Sequence, residues 1–298
     1  MARFDRTPAI SLKASKISYT WKMGNPVKVE IDSPISMVQR DVFDDFLIKQ
    51  AQKTGEEIEE STEVTEVKEI EFKIYVWEVK TNSEPVSDRY LIAADGAGGS
   101  MTKWLGLKEP KLCLSACLET RSIKGDAIYF DFATIKKGFI SSSPKADGYS
   151  LSIAAMRGDK PKDIEKILPN YATKCGADIS VSNVRKHPRS LWDGDRQLHS
   201  QNALLVGDAA SLADLLSGDG IRPALFSLFK AAQGIYRTLG GAGDAKKHYT
   251  KSIAEQWGTD MVWACRWAGA FNQFTGTACR AGLKLAIAAG VDEQNFAW

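Results

Sequence analysis

Residues 204–232 read "LLVGDAASLADLLSGDGIRPALFSLFKAA" and place Gly207 and Asp208, then Gly218 and Gly220, between an apolar strand and an apolar helix. A carboxylate at the carboxyl end of a buried strand stands where open α/β sheets take their ligands. Asp208 there can accept hydrogen bonds from sugar-like hydroxyls, such as those on the ribityl chain of a flavin. Gly218 and Gly220 carry no side chain, so their backbone can approach a flat ring closely. A helix starting near Asp219 and Gly220, with Ile221 first on its face, would turn unpaired amides toward that ring and favour negative charge on the pyrimidine edge of a reduced flavin. The same residues also make a ligand-free βα turn with Asp219 as helix N-cap. Local physics leaves both readings open.

The elements that must position this turn follow from periodicity. "SKISYTWKM" and "VKVEIDS" are alternating strands joined by "GNP", a hairpin. "RDVFDDFLIKQAQKTG" sets Phe43, Phe46, Leu47 and Ala51 on one helical stripe and stops at Gly55. Strands follow around "TEVTEV", "EFKIYVWEVK" and "RYLIAAD", the last apolar enough for burial on both faces. The segment 55–80 is rich in glutamate alternating with Val, Ile and Phe, the pattern of a solvated strand face. Residues 111–155 are β throughout and predict an antiparallel layer. "PKDIEKILPNYATKCG" is helical and interrupted by Pro169, "NALLVGD" is a buried strand, and helices are expected over 219–238, about 243–256, and twice more near the C-terminus. "GGAGDAKKH" follows a helix and reads as its stop.

Composition sets limits. The 298 residues, 44% apolar and 26% charged, suit an ordinary globular chain, and a net charge of +2 gives no basic face for nucleic acid. Met1 to Thr20 lacks the apolar core of a signal peptide, which predicts a cytoplasmic protein. The five cysteines (Cys113, Cys117, Cys175, Cys265, Cys279) are scattered and the three histidines (His187, His199, His248) lie in other segments, so packing cysteines and no metal site are expected. "EQWGTDMVWACRWAGAFNQF" gathers Trp257, Trp263, Trp267, Phe271 and Phe274, either a helical cap or a peripheral membrane contact.

"GDAASLADLLSGDGI" resembles the second FAD-binding motif of the geranylgeranyl reductase and aromatic hydroxylase superfamily, with Leu215 near the position of that motif's proline. "RYLIAADGAGGSMTKWLG" resembles the A-D-G motif of the same proteins, carried by Asp95 and Gly96, with Thr102 and Lys103 where an arginine is usual. "MVQRDVFDDFLIKQAQKTG" resembles their R-x-x-F-D-x-x-L helix. The resemblance implies that Arg40 reaches the FAD backbone, Val64 offers backbone groups to adenine, Asp95 and Gly96 meet the pyrophosphate, and Gly207, Asp208, Gly218, Gly220 and Ile221 hold the ribityl chain and ring. "TPAISLKASKISYTWKMGNPV", "WDGDRQLHSQNALL" and "EQWGTDMVWACRWAGAFNQF" are similar to stretches of cyanobacterial-type members of the geranylgeranyl reductase-related group. It further implies an FAD/NAD(P)-binding flavoprotein-like α/β fold with an antiparallel substrate layer and a helical C-terminal region. Residues 1–110 would be a remnant of the FAD-binding domain with a β-hairpin insert, 111–200 the substrate layer, 201–240 the return to the FAD domain and 241–298 a helical cap.

A rival use of residues 91–106 as a dinucleotide fingerprint, with Glu119 for the ribose, puts Met101 where that motif needs a small residue. No strand–G-x-G-x-x-G–helix precedes Arg40, although members of the family open with one. The expectation is a truncated chain that binds FAD weakly or not at all, or a second polypeptide that supplies the unit. The implied activity is hydride transfer from reduced FAD, recharged by NAD(P)H, to a double bond of a prenyl-type lipid. An FAD-dependent monooxygenase, and a non-catalytic remnant or partner-binding subunit, are the alternatives. The family's substrate segment is matched by "FISSSPKADGYSLSIA", so Phe139, Pro144 and Tyr149 are the candidate substrate residues, with Ser141, Ser143, Ser152 and Ala154 in place of the family's aromatics and glycines.

Overall fold

The computed structural model describes residues 7–72, 75–121, 125–135, 138–155, 163–179, 183–190, 192, 196–214 and 219–258. Their strands are, in chain order, β1 (Ile10–Trp21), β2 (Val27–Val38), β3 (Val64–Phe72), β4 (Tyr75–Thr81), β5 (Val86–Asp88), β6 (Leu91–Ala93), β7 (Leu112–Arg121), β8 (Ala127–Phe132), β9 (Gly138–Lys145), β10 (Gly148–Ala155), β11 (Arg185–Ser190), β12 (His199–Ser200) and β13 (Ala203–Leu205). The helices are α1 (Arg40–Lys53), α2 (Met101–Trp104), α3 (Ile164–Lys174), α4 (Ile221–Leu239) and α5 (Ala245–Ile253). One compact unit holds the described residues up to Ile58 and Leu114–His187; a second holds Glu59–Cys113 and those from Pro188 onward.

The first unit is built on a seven-stranded sheet of order β11-β7-β10-β9-β8-β1-β2. Strands β7 to β10 are the predicted layer, paired antiparallel where their register is defined. The opening hairpin joins the same sheet, because β1 runs parallel to β8 with Tyr19 opposite Phe130 and Trp21 opposite Phe132. Those rings stack at centroid distances of 5.7 and 5.1 Å, and cross-strand aromatic pairs of this kind help fix register. Leu118, Ile140, Leu151 and Ile153 form a core with Ile164, Leu168, Tyr171 and Ala172 of α3. Pro169 does not break α3, which runs through it. Glu165, whose carbonyl loses that amide partner, is exposed, so water can take the bond. The β1–β2 turn holds Lys22 and Met23 at φ 49 and 57. The buried Asp131 carboxylate accepts the Met23 amide at 3.0 Å and anchors that turn. Burial pushes the Asp131 carboxyl above its ordinary value.

The second unit holds two three-stranded sheets, β12-β13-β6 and β3-β4-β5. Its core gathers Trp77, Met101, Leu105, Leu204, Leu205, Tyr249, Ile253 and Trp257 among others. The glutamate-rich strands are solvated as predicted: Glu66 bridges Lys68 and Lys80 at 2.9 and 3.0 Å. Helix α4 buries Pro223, Ser227, Ala231 and Gly234 on one stripe. A Cβ at Gly234 would lie 3.0 Å from the Ala245 carbonyl oxygen, so the glycine is what lets α5 approach. The chain then turns through Gly240 and Gly241, and the Asp244 side chain caps α5.

Candidate functional site

β13 and β6 lie side by side in parallel, Ala203 opposite Leu91 and Leu205 opposite Ala93. The Val206 amide extends the ladder by donating to the Ala93 carbonyl at 3.0 Å. Asp95 follows two residues after Ala93 and Asp208 three after Leu205, so neighbouring strands present both carboxylates at their carboxyl ends. All of β13 is buried, but in β6 only Ala93 is. The sequence predicts a strand covered on both faces; at the edge of this sheet Leu91 and Ile92 remain half-buried.

The turn after β13 is held closely. Gly207 sits at φ +57, and a Cβ there would come within 3.0 Å of the Ala224 Cβ. Its amide donates to Ser227 Oγ at 2.9 Å. The Tyr249 hydroxyl donates to the Leu205 carbonyl at 2.5 Å, and burial pushes that phenol well above its ordinary value. The short 3-10 turn Gly207–Ala210 ends at Ser211, at φ 59, whose hydroxyl lies 2.6 Å from Ser190 Oγ in a buried pair. Asp208 is half-buried. Gly220 backs it so closely that an added Cβ would stand 3.3 Å from Asp208 Oδ1.

Asp219 takes the N-cap role. Its Oδ1 accepts the Ile221 and Arg222 amides at 3.0 and 3.4 Å. Burial raises its carboxyl, while the Arg222 amide and guanidinium pull it back down. The first amides of α4 are therefore engaged by a carboxylate and are not turned freely toward a ring. Asp95 folds back likewise: its Oδ2 accepts the Met101 amide at 2.8 Å, in the space left by the missing side chain of Gly99. Gly96 makes the turn at φ +79. Met101 is buried in the core, a bulky residue where a dinucleotide fingerprint needs a small one.

The structure thus brings Asp95, Gly96, Gly207, Asp208, Gly220 and Ile221 to one end of one pair of strands. Arg40 belongs to the other unit, on α1, where its guanidinium forks Asp44 at 2.9 to 3.0 Å. Val64 opens β3 opposite Thr81, exposed, in a sheet separate from that of β6 and β13. Gly218 and Leu215 lie outside the described residues. In the seven-stranded sheet Phe139 packs its ring at 5.7 Å from Phe130 and from Phe132. Tyr149 pairs with Pro144 on the opposite face, where Tyr149 joins the core against α3, so the three candidate substrate residues do not share one surface. Trp257 is buried, stacked on Phe226 at 5.9 Å with the Arg222 guanidinium 4.5 Å over its ring. The remaining aromatics of that C-terminal cluster lie outside the described residues. Among the described residues no disulfide joins the cysteines, no cluster suits a metal ion and no helix is long and apolar enough to cross a membrane. Ser227 and Tyr249 were not singled out from the sequence. For Ser227 the available signal was a lone hydroxyl in an otherwise apolar or small-residue helical stripe.

No protein-family model matches the chain. An uncharacterized protein from Methanosarcina barkeri is 32% identical over 212 residues, which cover 69% of this chain and 53% of that protein. A digeranylgeranylglycerophospholipid reductase from Methanococcus vannielii is 26% identical over 235 residues, 75% of this chain and 59% of that protein. The chain spans little more than half the length of these curated relatives. Among solved structures, a geranylgeranyl bacteriochlorophyll reductase-like protein from Thermoplasma acidophilum matches with a TM-score of 0.79 at 19% identity, covering 93% of this chain and 75% of that one. The flavin-dependent halogenase CmlS matches at 0.67 and 22% identity, over 87% of this chain and 52% of that one. A variant of Klebsiella pneumoniae HpxO complexed with FAD matches at 0.62 and 14% identity, over 93% and 82%. The fold is that of the FAD-binding flavoproteins. In sequence, homologues of the chain include proteins named digeranylgeranylglycerophospholipid reductase.

Proposed function

We propose that the strand tips of the second unit form the ribityl and ring end of an FAD site in an oxidoreductase that saturates double bonds of prenyl lipids. One observation carries the reading: Asp95 and Asp208 end adjacent parallel strands, with Gly220 lying against the Asp208 carboxylate. The residues present fit that end of the cofactor, since Asp208 can accept from ribityl hydroxyls and Gly220 opens a side-chain-free cradle beside it. Bound FAD would supply the hydride. Asp208 would anchor and orient the cofactor, Gly207 would set the angle of that anchor, and Asp219 would stiffen the start of α4 below it. Gly96 and Asp95 would shape the neighbouring loop, and Ile221 the apolar edge of the cradle.

The finer assignments belong to the same proposal. Arg40 and Val64 would serve the adenosine end, together with a G-x-G-x-x-G unit carried outside these 298 residues, on the same or a second polypeptide. Reduced nicotinamide would recharge the flavin. Phe139 would face a prenyl chain from the aromatic side of the large sheet, and such a lipid would be met at a membrane surface. Kinship to the cyanobacterial-type members rests on the sequence stretches alone. The names of the relatives support a prenyl lipid as the substrate class. An FAD-dependent oxygen-using enzyme is the second reading, favoured by the likeness to a flavin-dependent halogenase.

The test is anaerobic incubation of the chain with reduced FAD and a digeranylgeranyl phospholipid, read by mass spectrometry for added hydrogen. Hydrogenated lipid supports the proposal. Unchanged lipid together with flavin-dependent oxygen consumption in air moves the chain to the second reading.

A further inference from the structure

We propose that Ser227 and Tyr249 are positioning residues whose hydroxyls hold the Gly207–Asp208 turn in the geometry that receives a ligand; the inference deepens the flavin reading of that turn and rests on it. The two hydroxyls grip the chain on either side of Val206. From α5, Tyr249 donates to the Leu205 carbonyl at 2.5 Å. From α4, Ser227 Oγ accepts the Gly207 amide at 2.9 Å and its hydroxyl donates to the Ala224 carbonyl at 3.1 Å. The Gly207 amide opens the 3-10 turn, where the turn itself offers no acceptor, so without Ser227 it would be a buried donor left unmade.

Packing alone does not call for either hydroxyl. Both side chains are fully buried, where a hydroxyl is unfavourable unless bonded, and alanine or phenylalanine would fill nearly the same space. Ser227 stands in a stripe otherwise made of Pro223, Ala231 and Gly234. The helices that carry the two groups are themselves locked. Gly234 lets Ala245 approach, and His248 Nε2 lies 3.2 Å from Gln233 Oε1. A rigid helix pair thus reaches two fixed points onto the three residues that precede Asp208, and the carboxylate is aimed over Gly220 before any ligand arrives. Preorganisation of this kind leaves less ordering to be done on binding.

The full chain tests this as wild type, Ser227→Ala and Tyr249→Phe, with Leu168→Ala in the core of the other unit as a variant that lowers stability without touching the turn. Two readouts are taken. In flavin-free protein, hydrogen exchange of residues 205–210 should be about tenfold faster in Ser227→Ala and in Tyr249→Phe, the scale of one lost hydrogen bond, and unchanged relative to neighbouring segments in Leu168→Ala. FAD affinity, read by quenching of flavin fluorescence, should weaken about tenfold in the two hydroxyl variants and hold in Leu168→Ala. Visible circular dichroism of the bound flavin should change with it. If Ser227→Ala does not fold, Tyr249→Phe carries both measurements. Unchanged exchange in the hydroxyl variants overturns the inference, as does faster exchange with wild-type affinity and dichroism. A wild-type chain that leaves FAD unbound removes the flavin reading instead, and the exchange data then decide alone whether the hydroxyls hold the turn.

Discussion

Replacing Gly207 by alanine perturbs the candidate site at the point where backbone and packing constrain it together. The residue sits at φ +57, where an L side chain costs about 1–2 kcal/mol. Loss of unfolded-chain freedom on going from glycine to alanine returns roughly 0.4–1 kcal/mol. Gly106 provides the matched reference, because it has φ +66 in the same unit with nothing within 4 Å of an added Cβ. Gly106→Ala therefore carries the backbone effect alone. At Gly207 the new Cβ would meet the Ala224 Cβ at 3.0 Å, so α4 must also give way, and overpacking of this kind costs roughly 1–3 kcal/mol. Gly207→Ala should then be less stable than Gly106→Ala by about 1–3 kcal/mol. Urea unfolding followed by tryptophan fluorescence reads the difference, since Trp77, Trp192 and Trp257 share the core beneath the turn. Ala224→Gly in the Gly207→Ala background should recover part of the loss, with a coupling of about 1 kcal/mol. Equal stability of the two single variants, or no coupling to Ala224, would refute the close-approach argument.

Three further outcomes follow from other parts of the molecule. Burial holds the Asp131 carboxyl above its unfolded value, so the folded state binds the proton more tightly and stability should fall as pH rises from about 4 through the raised folded value. Asp131→Asn keeps an acceptor for the Met23 amide and should flatten that slope; thermal unfolding across pH checks it. Ser190→Ala removes the partner of the Ser211 hydroxyl, a residue held at positive φ, and should cost about 1–2 kcal/mol by urea unfolding. Lys16→Ala breaks an exposed ion pair with Asp126 and should leave the urea midpoint unchanged at physiological salt.

Much of the fold is legible in the residues because period and burial agree. The alternation of "LCLSACLET" through "YSLSIAA" becomes β7 to β10, and the apolar "ALL" becomes the fully buried β13. The hairpin's place in the large sheet is not legible, because it depends on Tyr19 and Trp21 finding Phe130 and Phe132 more than a hundred residues away. Pro169 misleads because the one carbonyl it leaves without an amide partner, that of the exposed Glu165, can bond water instead, and the burial of β6 misleads because sequence does not say how many neighbours a strand has. At the site, glycines and aspartates announce the turn, since few other residues tolerate it. The hydroxyls of Ser227 and Tyr249 stay hidden because their meaning lies in contacts between α4, α5 and β13. Asp219 carries two chemistries in sequence, and only the distances to the Ile221 and Arg222 amides select the cap.

The account turns on Asp208, and calorimetric titration of the full chain with FAD tests it most directly, comparing wild type with Asp208→Ala. The account predicts heat of binding in the wild type and an affinity at least about tenfold weaker in the variant, as expected for loss of a charge-assisted hydrogen bond. Equal binding by both proteins would contradict it.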